Sequence, residues 1–554
     1  MRLRPLMTCS ALLLGACFDP PDAPADSETE AATGTAGETD TPSTATDPVA
    51  TTDPATTTDP DTTETPETTT AGDLPPTIEL MVGGSASPGP LTSSALVPLQ
   101  ADVTDDGTVT SVDFHQDGVL LGTDDSAPFT FEVLMTSIDA GDYEFTATAT
   151  DDASQQTESD PVSLTVDIDG GGVAAVANGL FQSGGLIFQP GGGLVVDNDG
   201  NVIVQSSLST ADFEVTGLGS LSLSPDLSRT NWQISVPTSL VEGENQWLMM
   251  GQPWLSPDGS QVVMGANNLG VEGVVDPNLV LTRVATDGSG ALPFFELMAD
   301  PEGEFLNVGG LAQDPSGNVI MHGPDDALTK LDPATDTIVW QAPVGAVWDL
   351  TDLGGMRLRT DSEGDIIFDQ MDCDFSASIC DLRTSKIRGF DGVEQWNEAI
   401  PADPDNVFLH AGGSAPGPDG QVITAQGLST AMGQGIRIVL RDDSGTTIED
   451  YTLEARGGST FAVADIAFDA QGYVVLVGTR FINGEQEMRE AFAMRFDTEG
   501  NQVWQRSIGF GMIEDQGLAL ALDTQGHVLV LGMSDIDLVF FAFTGDLWVA
   551  QLDL

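Results

Sequence analysis

Along the C-terminal two-thirds of the chain one pattern recurs seven times: a short apolar run, an Asp- or Pro-x-x-Gly turn, and a second apolar run. The glycines that close these turns are Gly200, Gly259, Gly317, Gly364, Gly420, Gly472 and Gly526. Their successive spacings of 59, 58, 47, 56, 52 and 54 residues suit one four-stranded unit with its loops. No such unit can bury both apolar faces alone, so the units must stack. At this period a radial stack predicts a seven-bladed β-propeller over residues 173–554. A second turn in each unit leads to an outer strand, often marked by Trp. Pro225-Asp226 runs to Trp232, Leu331-Asp332 to Trp340, Phe390-Asp391 to Trp396, and Phe496-Asp497 to Trp504. The second and fifth units show the turn, at Asp287–Gly290 and Asp442–Gly445, without the Trp.

The seventh unit stops at Leu552-Asp553-Leu554, where the turn to its outer strand should begin, so it lacks a strand. An unpaired edge inside a closed ring would leave a row of backbone donors and acceptors open. Counting the Trp-to-Gly offsets of the complete units back from Gly200 lands on Val-Ala-Ala-Val-Ala-Asn, 173–178. This run is expected to pair antiparallel with the strand near 547–553 and latch the first blade to the last.

Period-two alternation also marks residues 75–168, in 76–82, 109–115 and 143–150, with turns at Gly118, Asp124-Asp125 and Gly141-Asp142. Some ninety residues with about seven short strands have the cadence of an Ig-like sandwich. The run from Val112 through Asp117-Gly118 and Leu121-Gly122-Thr123 to Ala127-Pro128-Phe129, with Ala-Thr-Ala-Thr-Asp-Asp near 146–152, resembles bacterial Ig-like domains of exported proteins. That resemblance implies a spacer or adhesive module. Asp169-Gly170-Gly171-Gly172 (169–172) reads as a flexible joint, so loss of residues 18–168 is expected to leave the propeller intact. Residues 17–74 form a Thr/Pro/acidic tract with almost no large apolar residues, expected to be a disordered, extended stalk.

The chain carries 17 Lys+Arg against 86 Asp+Glu, a net charge of −69. Only 14 of those acids lie in 18–74, so the acidity runs through the domains as well. With no basic patch to neutralise phosphates, nucleic acid is excluded as a partner, and adsorption to anionic lipid is disfavoured. At the N-terminus, basic Met1–Arg4 precedes an apolar stretch to Ala16 that is too short to span a bilayer as a helix. It ends in Leu14-Gly15-Ala16-Cys17, which resembles a bacterial lipoprotein signal. The resemblance implies removal of 1–16, acylation of Cys17, and sorting to the outer membrane, since Phe18 rather than Asp follows the cysteine. In an exported protein Cys373 and Cys380, with six residues between them and no neighbouring His, read as a disulfide rather than half a zinc site.

Chemistry is sparse. Asp197 and Asp199 lie in Asp-Asn-Asp-Gly-Asn, the start of a calcium-loop pattern, but the bidentate Glu such a loop needs is missing, so the stretch reads foremost as a hairpin turn, with calcium the one weak cofactor candidate. His115, His322, His410 and His527 show no metal-site spacing, and no nucleophile elbow or phosphate loop occurs. Blades six (468–497) and seven (522–553) resemble bacterial propeller repeat proteins, a class with no shared activity. The expectation is a surface-exposed, lipid-anchored, non-catalytic envelope protein whose propeller binds a glycan or protein through its blade-edge loops. The alternatives are a propeller enzyme acting on polysaccharide, a quinoprotein-type dehydrogenase suggested by 329–340, and an outer-membrane assembly scaffold.

Overall fold

A computed structural model describes residues 74–554 except 182–186, 210–214, 238–246, 269–277, 299–309, 324–326, 333–334, 336, 345–357, 375–378, 401–411, 430–433, 455–458, 483–487, 510–514 and 540–541. The stalk and Cys17 lie outside the described residues. The chain is all-β. Residues 77–166 form the Ig-like sandwich. Thr77–Val82, Ala95–Thr104 and Phe129–Met135 make one sheet. Val119–Asp124, Val109–Gln116, Gly141–Asp151, Gln156–Glu158 and Val162–Val166 make the other. Alternation in Gly141–Asp151 sends Phe145, Ala147 and Ala149 inward, onto Val112, Phe114, Leu80 and Leu99.

The remaining described strands form seven four-stranded antiparallel sheets, the blades of the propeller. Blades one to six span 187–237, 247–298, 310–343, 358–400, 413–454 and 459–508. In each, the strands follow chain order from the axis outward. Blade seven takes Asp515–Leu522, His527–Val539 and Ala542–Asp553, and its fourth strand is Val173–Leu180. Val549 lies opposite Ala177, Ala550 opposite Val176 and Gln551 opposite Ala175, which is the latch anticipated from the spacing. Residues 169–172 are not the free joint expected of a glycine run. Gly171 N–H donates to the Asp553 carbonyl at 2.8 Å, and Asp553 N–H donates to Gly172 at 2.9 Å. They prolong the latch by pairing with Asp553, at the end of the third strand of blade seven.

Apolar seams between neighbouring blades make the core. Leu194, Val204 and Leu221 of blade one meet Leu529, Leu531 and Val549 of blade seven. Phe492 and Phe496 of blade six meet Ile436, Ile438 and Leu440 of blade five. Outer-strand aromatics lock four of the seams from outside. Trp232 donates its indole N–H to the Thr286 carbonyl at 2.8 Å, Trp340 to Gly389 at 3.0 Å, and Trp396 to Asp443 at 3.1 Å, in each case reaching the second turn of the following blade. Blade five, which lacks the Trp, lays Tyr451 there instead, across Gly500 of blade six.

Leu180 is buried at the end of the latch, whereas Val173, at its start, is 53% exposed. Leu180→Ala should therefore lower stability by about 2–4 kcal/mol, read as a shift in urea midpoint. Val173→Ala should change it by less than about 0.5 kcal/mol. Equal effects would mean that the latch does not carry the closure.

Candidate functional site

One end of the ring carries the turns within each strand pair one-two and three-four. The loops at the other end, expected to hold the ligand surface, lie outside the described residues. At the turn end, Asp197, Asp314, Asp361, Asp469 and Asp523 each accept backbone N–H groups from two and four residues onward at 2.8–3.0 Å. The side chains of these acids are buried in the blade, so each needs a counter-charge or further donors. In three blades one position on the third strand supplies a counter-charge: Lys330 to Asp314 at 2.6 Å, Lys386 to Asp361 at 3.2 Å, and Arg495 to Asp469 at 2.7 Å. Lys330 and Lys386 are the only two lysines of the chain, and both are buried. Burial pulls the Lys386 ammonium down, but its hydrogen bonds to Asp443 and Asp361 outweigh this and hold it above its ordinary value. Blade seven uses Gln551 with His527, whose Nδ1 lies 2.8 Å from Asp523. Blade five has Gly417 in place of the Asp and Leu440 in place of the cation, so acid and base are lost together.

Asp197 has the same turn geometry. One of its oxygens accepts N–H from Asp199 and Asn201, and both lie within reach of the Asn201 amide at 3.0 and 3.2 Å. A carboxylate with these donors closes an Asx turn, the hairpin-turn role read from the sequence. Asp199 is exposed at the turn tip. Cys373 and Cys380 stand directly opposite each other on the adjacent strands Ile366–Asp374 and Ile379–Ile387. His322 is buried and stacks on Phe368, ring centroids 5.4 Å apart.

Charged groups converge at the axis. Asp465, on the inner strand of blade six, accepts from Gln252 of blade two, from Arg359 of blade four, from Leu520 N–H of blade seven at 2.9 Å, and from Ile466 N–H at 2.9 Å. Arg359 also donates to the Ile466 carbonyl at 2.6 Å. Blades two, four and six are not neighbours, so only the ring axis can bring them together. The strand register shifts between Val463 and Asp465, between Gly517 and Ala519, and between Met250 and Trp254. Such bulges turn side chains out of the ladder, here toward the axis. The Asp465 side chain is 1% exposed and that of Arg359 22%.

A second polar cluster fills the seam between blades four and five. Asp369 accepts from Ser414 N–H at 2.7 Å, Ser414 Oγ at 2.6 Å and Thr384 Oγ1 at 2.9 Å, and Thr424 bonds Ser414 at 2.8 Å. Burial raises the Asp369 carboxyl above its ordinary range, against the pull of these hydrogen bonds. None of these axial or seam residues was singled out from the sequence. The signal present was a lone Asp in the apolar run Phe-Ala-Val-Ala-Asp-Ile-Ala-Phe, 461–468.

Removing Asp465 strands a largely buried guanidinium. Asp465→Ala should cost about 3 kcal/mol in unfolding free energy by urea titration. Asp199→Ala, at an exposed turn tip, should cost less than about 0.5 kcal/mol. A neutral Asp465→Ala would show that the axis is not tied across the ring.

The family described as a bacterial Ig domain matches residues 86–147. A search of curated protein sequences finds no match. Among solved structures, fibronectin(III)-like modules of CbhA from Clostridium thermocellum are 24% identical, covering 17% of this chain and 98% of that one, with a TM-score of 0.15. BamB from Moraxella catarrhalis is 12% identical, covering 66% of this chain and 99% of that one, with a TM-score of 0.34. The chain thus joins a bacterial Ig-like domain to a seven-bladed propeller.

Proposed function

We propose that the chain is a lipid-anchored protein of the bacterial cell envelope, held in the outer membrane through Cys17, exposed at the surface, and stiffened by a Cys373–Cys380 disulfide. Its propeller presents a binding surface for a glycan or protein ligand and performs no chemistry on it. The observation that supports the non-catalytic reading is the saturation of the axis. Asp465, the acid at the centre of the ring, already accepts from Gln252, Arg359, Leu520 and Ile466. A general acid or base must have a face free for the substrate, and here the protein fills those positions. The turn-end acids are occupied in the same way. Hydrogen bonds from Ser224 and Ser228 bring the Asp226 carboxyl down to about 2, and those from Ser256 and Ser260 do the same for Asp258. Such groups stay ionised across the physiological range and serve as fixed charge.

Two measurements test this reading. Mass spectrometry of the protein taken from membranes should find a lipid-modified Cys17 and a peptide cross-linked through Cys373 and Cys380. An unmodified Cys17, or two free thiols, would overturn that assignment. A glycan and protein array probed with the mature chain should give a ligand that is recovered chemically unchanged after prolonged incubation. Turnover of the captured ligand would establish an enzyme instead.

A further inference from the structure

We propose that the Ig-like domain is the clasp of the propeller: it grips blade seven where the ring closes, and the latch holds only while that grip is made. This reverses the expectation that the Ig-like domain is a separable spacer. The argument starts from the weakest point of the ring. Blades one to six are continuous in sequence, whereas blade seven joins Val173–Leu180 to Leu547–Leu552 with no connecting turn. Both strands can leave by fraying, because nothing covalent closes that edge.

The Ig-like domain bonds to this edge on one side. Ser93 Oγ donates to Asp553 Oδ1 at 2.6 Å, and Ser94 N–H donates to the same oxygen at 2.8 Å. Ser137 N–H donates to the Leu554 carbonyl at 2.9 Å, while Leu554 N–H donates to the Gly526 carbonyl at 3.1 Å. Asp553 and Leu554 are 6% and 1% exposed as a result. Gly526 needs its positive φ of 84° to close the first turn of blade seven. It also lies so close to Leu134, Ser94 and Thr136 that a Cβ would sit 2.7 Å from Leu134.

The grip extends to blade six. Thr136 donates its hydroxyl to the Gln471 side-chain oxygen at 2.8 Å, and Gln471 donates its amide N–H to Asp139 at 3.1 Å. Arg495, fully buried, donates to that same Gln471 oxygen at 2.7 Å while paired with Asp469. The contact therefore reaches the turn carboxylate and third-strand cation that hold blade six together. On the chain between the two domains, Arg506 donates to Asp169 at 2.7 Å and to the Gly171 carbonyl at 3.2 Å. Trp504 lies against Gly170 and Gly171, where a Cβ would come within 2.8 Å of its ring. Ser93, Ser94 and Ser137 thus fix the third strand of blade seven, Arg506 and Trp504 fix the start of the latch, and the two cannot part without breaking the docked contact.

Amide hydrogen exchange on the full chain tests this with two substitutions, one from each side. Ser137→Pro removes the N–H that Leu554 uses. Proline is tolerated there, because Ser137 is the first residue of a 3-10 turn and Thr136 before it is extended. Gln471→Ala removes the bonds to Thr136 and Asp139 from the propeller side. Both should speed exchange in Val173–Leu180 and Leu547–Asp553 by about tenfold or more, with the strands of blade four unchanged. Gln395→Ala, which removes a comparable turn-end bond to Asp365 far from the Ig-like domain, should leave the latch at wild-type rates. If Ser137→Pro also loosens the Ig-like strands Val109–Gln116 and Gly141–Asp151, Gln471→Ala alone decides. Wild-type latch exchange in Gln471→Ala, or equal acceleration across every blade, would overturn the proposal.

Discussion

A single buried carboxylate, Asp465, holds the centre of this ring. Seven sheets arranged around an axis leave their inner strands facing a space that must be filled or hydrated. Here it is filled by groups from blades two, four, six and seven, which no other part of the fold could bring together. The consequences are both structural and functional. Arg359 and Asp465 must be buried as a pair, because either alone would carry an uncompensated charge. A pair so completely engaged makes the axis a strut, which is why the proposed binding surface is sought at the loop end.

The same logic explains how so acidic a protein folds. With 17 bases against 86 acids, most carboxylates must face solvent. Buried acids survive only where a cation or a full set of donors is built beside them. Lys330, Lys386 and Arg495 occupy one structural position in three blades, each against the turn Asp of its own blade. Blade five has neither member, and blade one keeps its turn Asp197 with Ser222 at the cation position, the carboxylate being met by the Asn201 amide instead. Asp369 follows the other route, caged by hydroxyls and a backbone amide.

Much of this was legible in the sequence, and the division follows the range of the interactions. Turn glycines obey a local backbone rule, so Gly200 through Gly526 marked the blades, and their offsets located the latch at 173–178. The aromatic lock was only partly legible, because Tyr451 replaces Trp two residues off the expected register. The axis could not be read, since Gln252, Arg359 and Asp465 are separated by about a hundred residues each and meet only once the ring exists. Residues 169–172 misled for a related reason. Three glycines in a row suggest freedom, but here they allow close approach beneath Trp504 and beside Asp553.

The most direct test of a ring tied across its axis is a double-mutant cycle on Arg359→Met and Asp465→Leu, read by equilibrium unfolding. If the two side chains form the strut described, removing both should restore part of the stability that either loss alone removes, with a coupling of about 1–3 kcal/mol. Additive losses within about 0.5 kcal/mol would contradict the account.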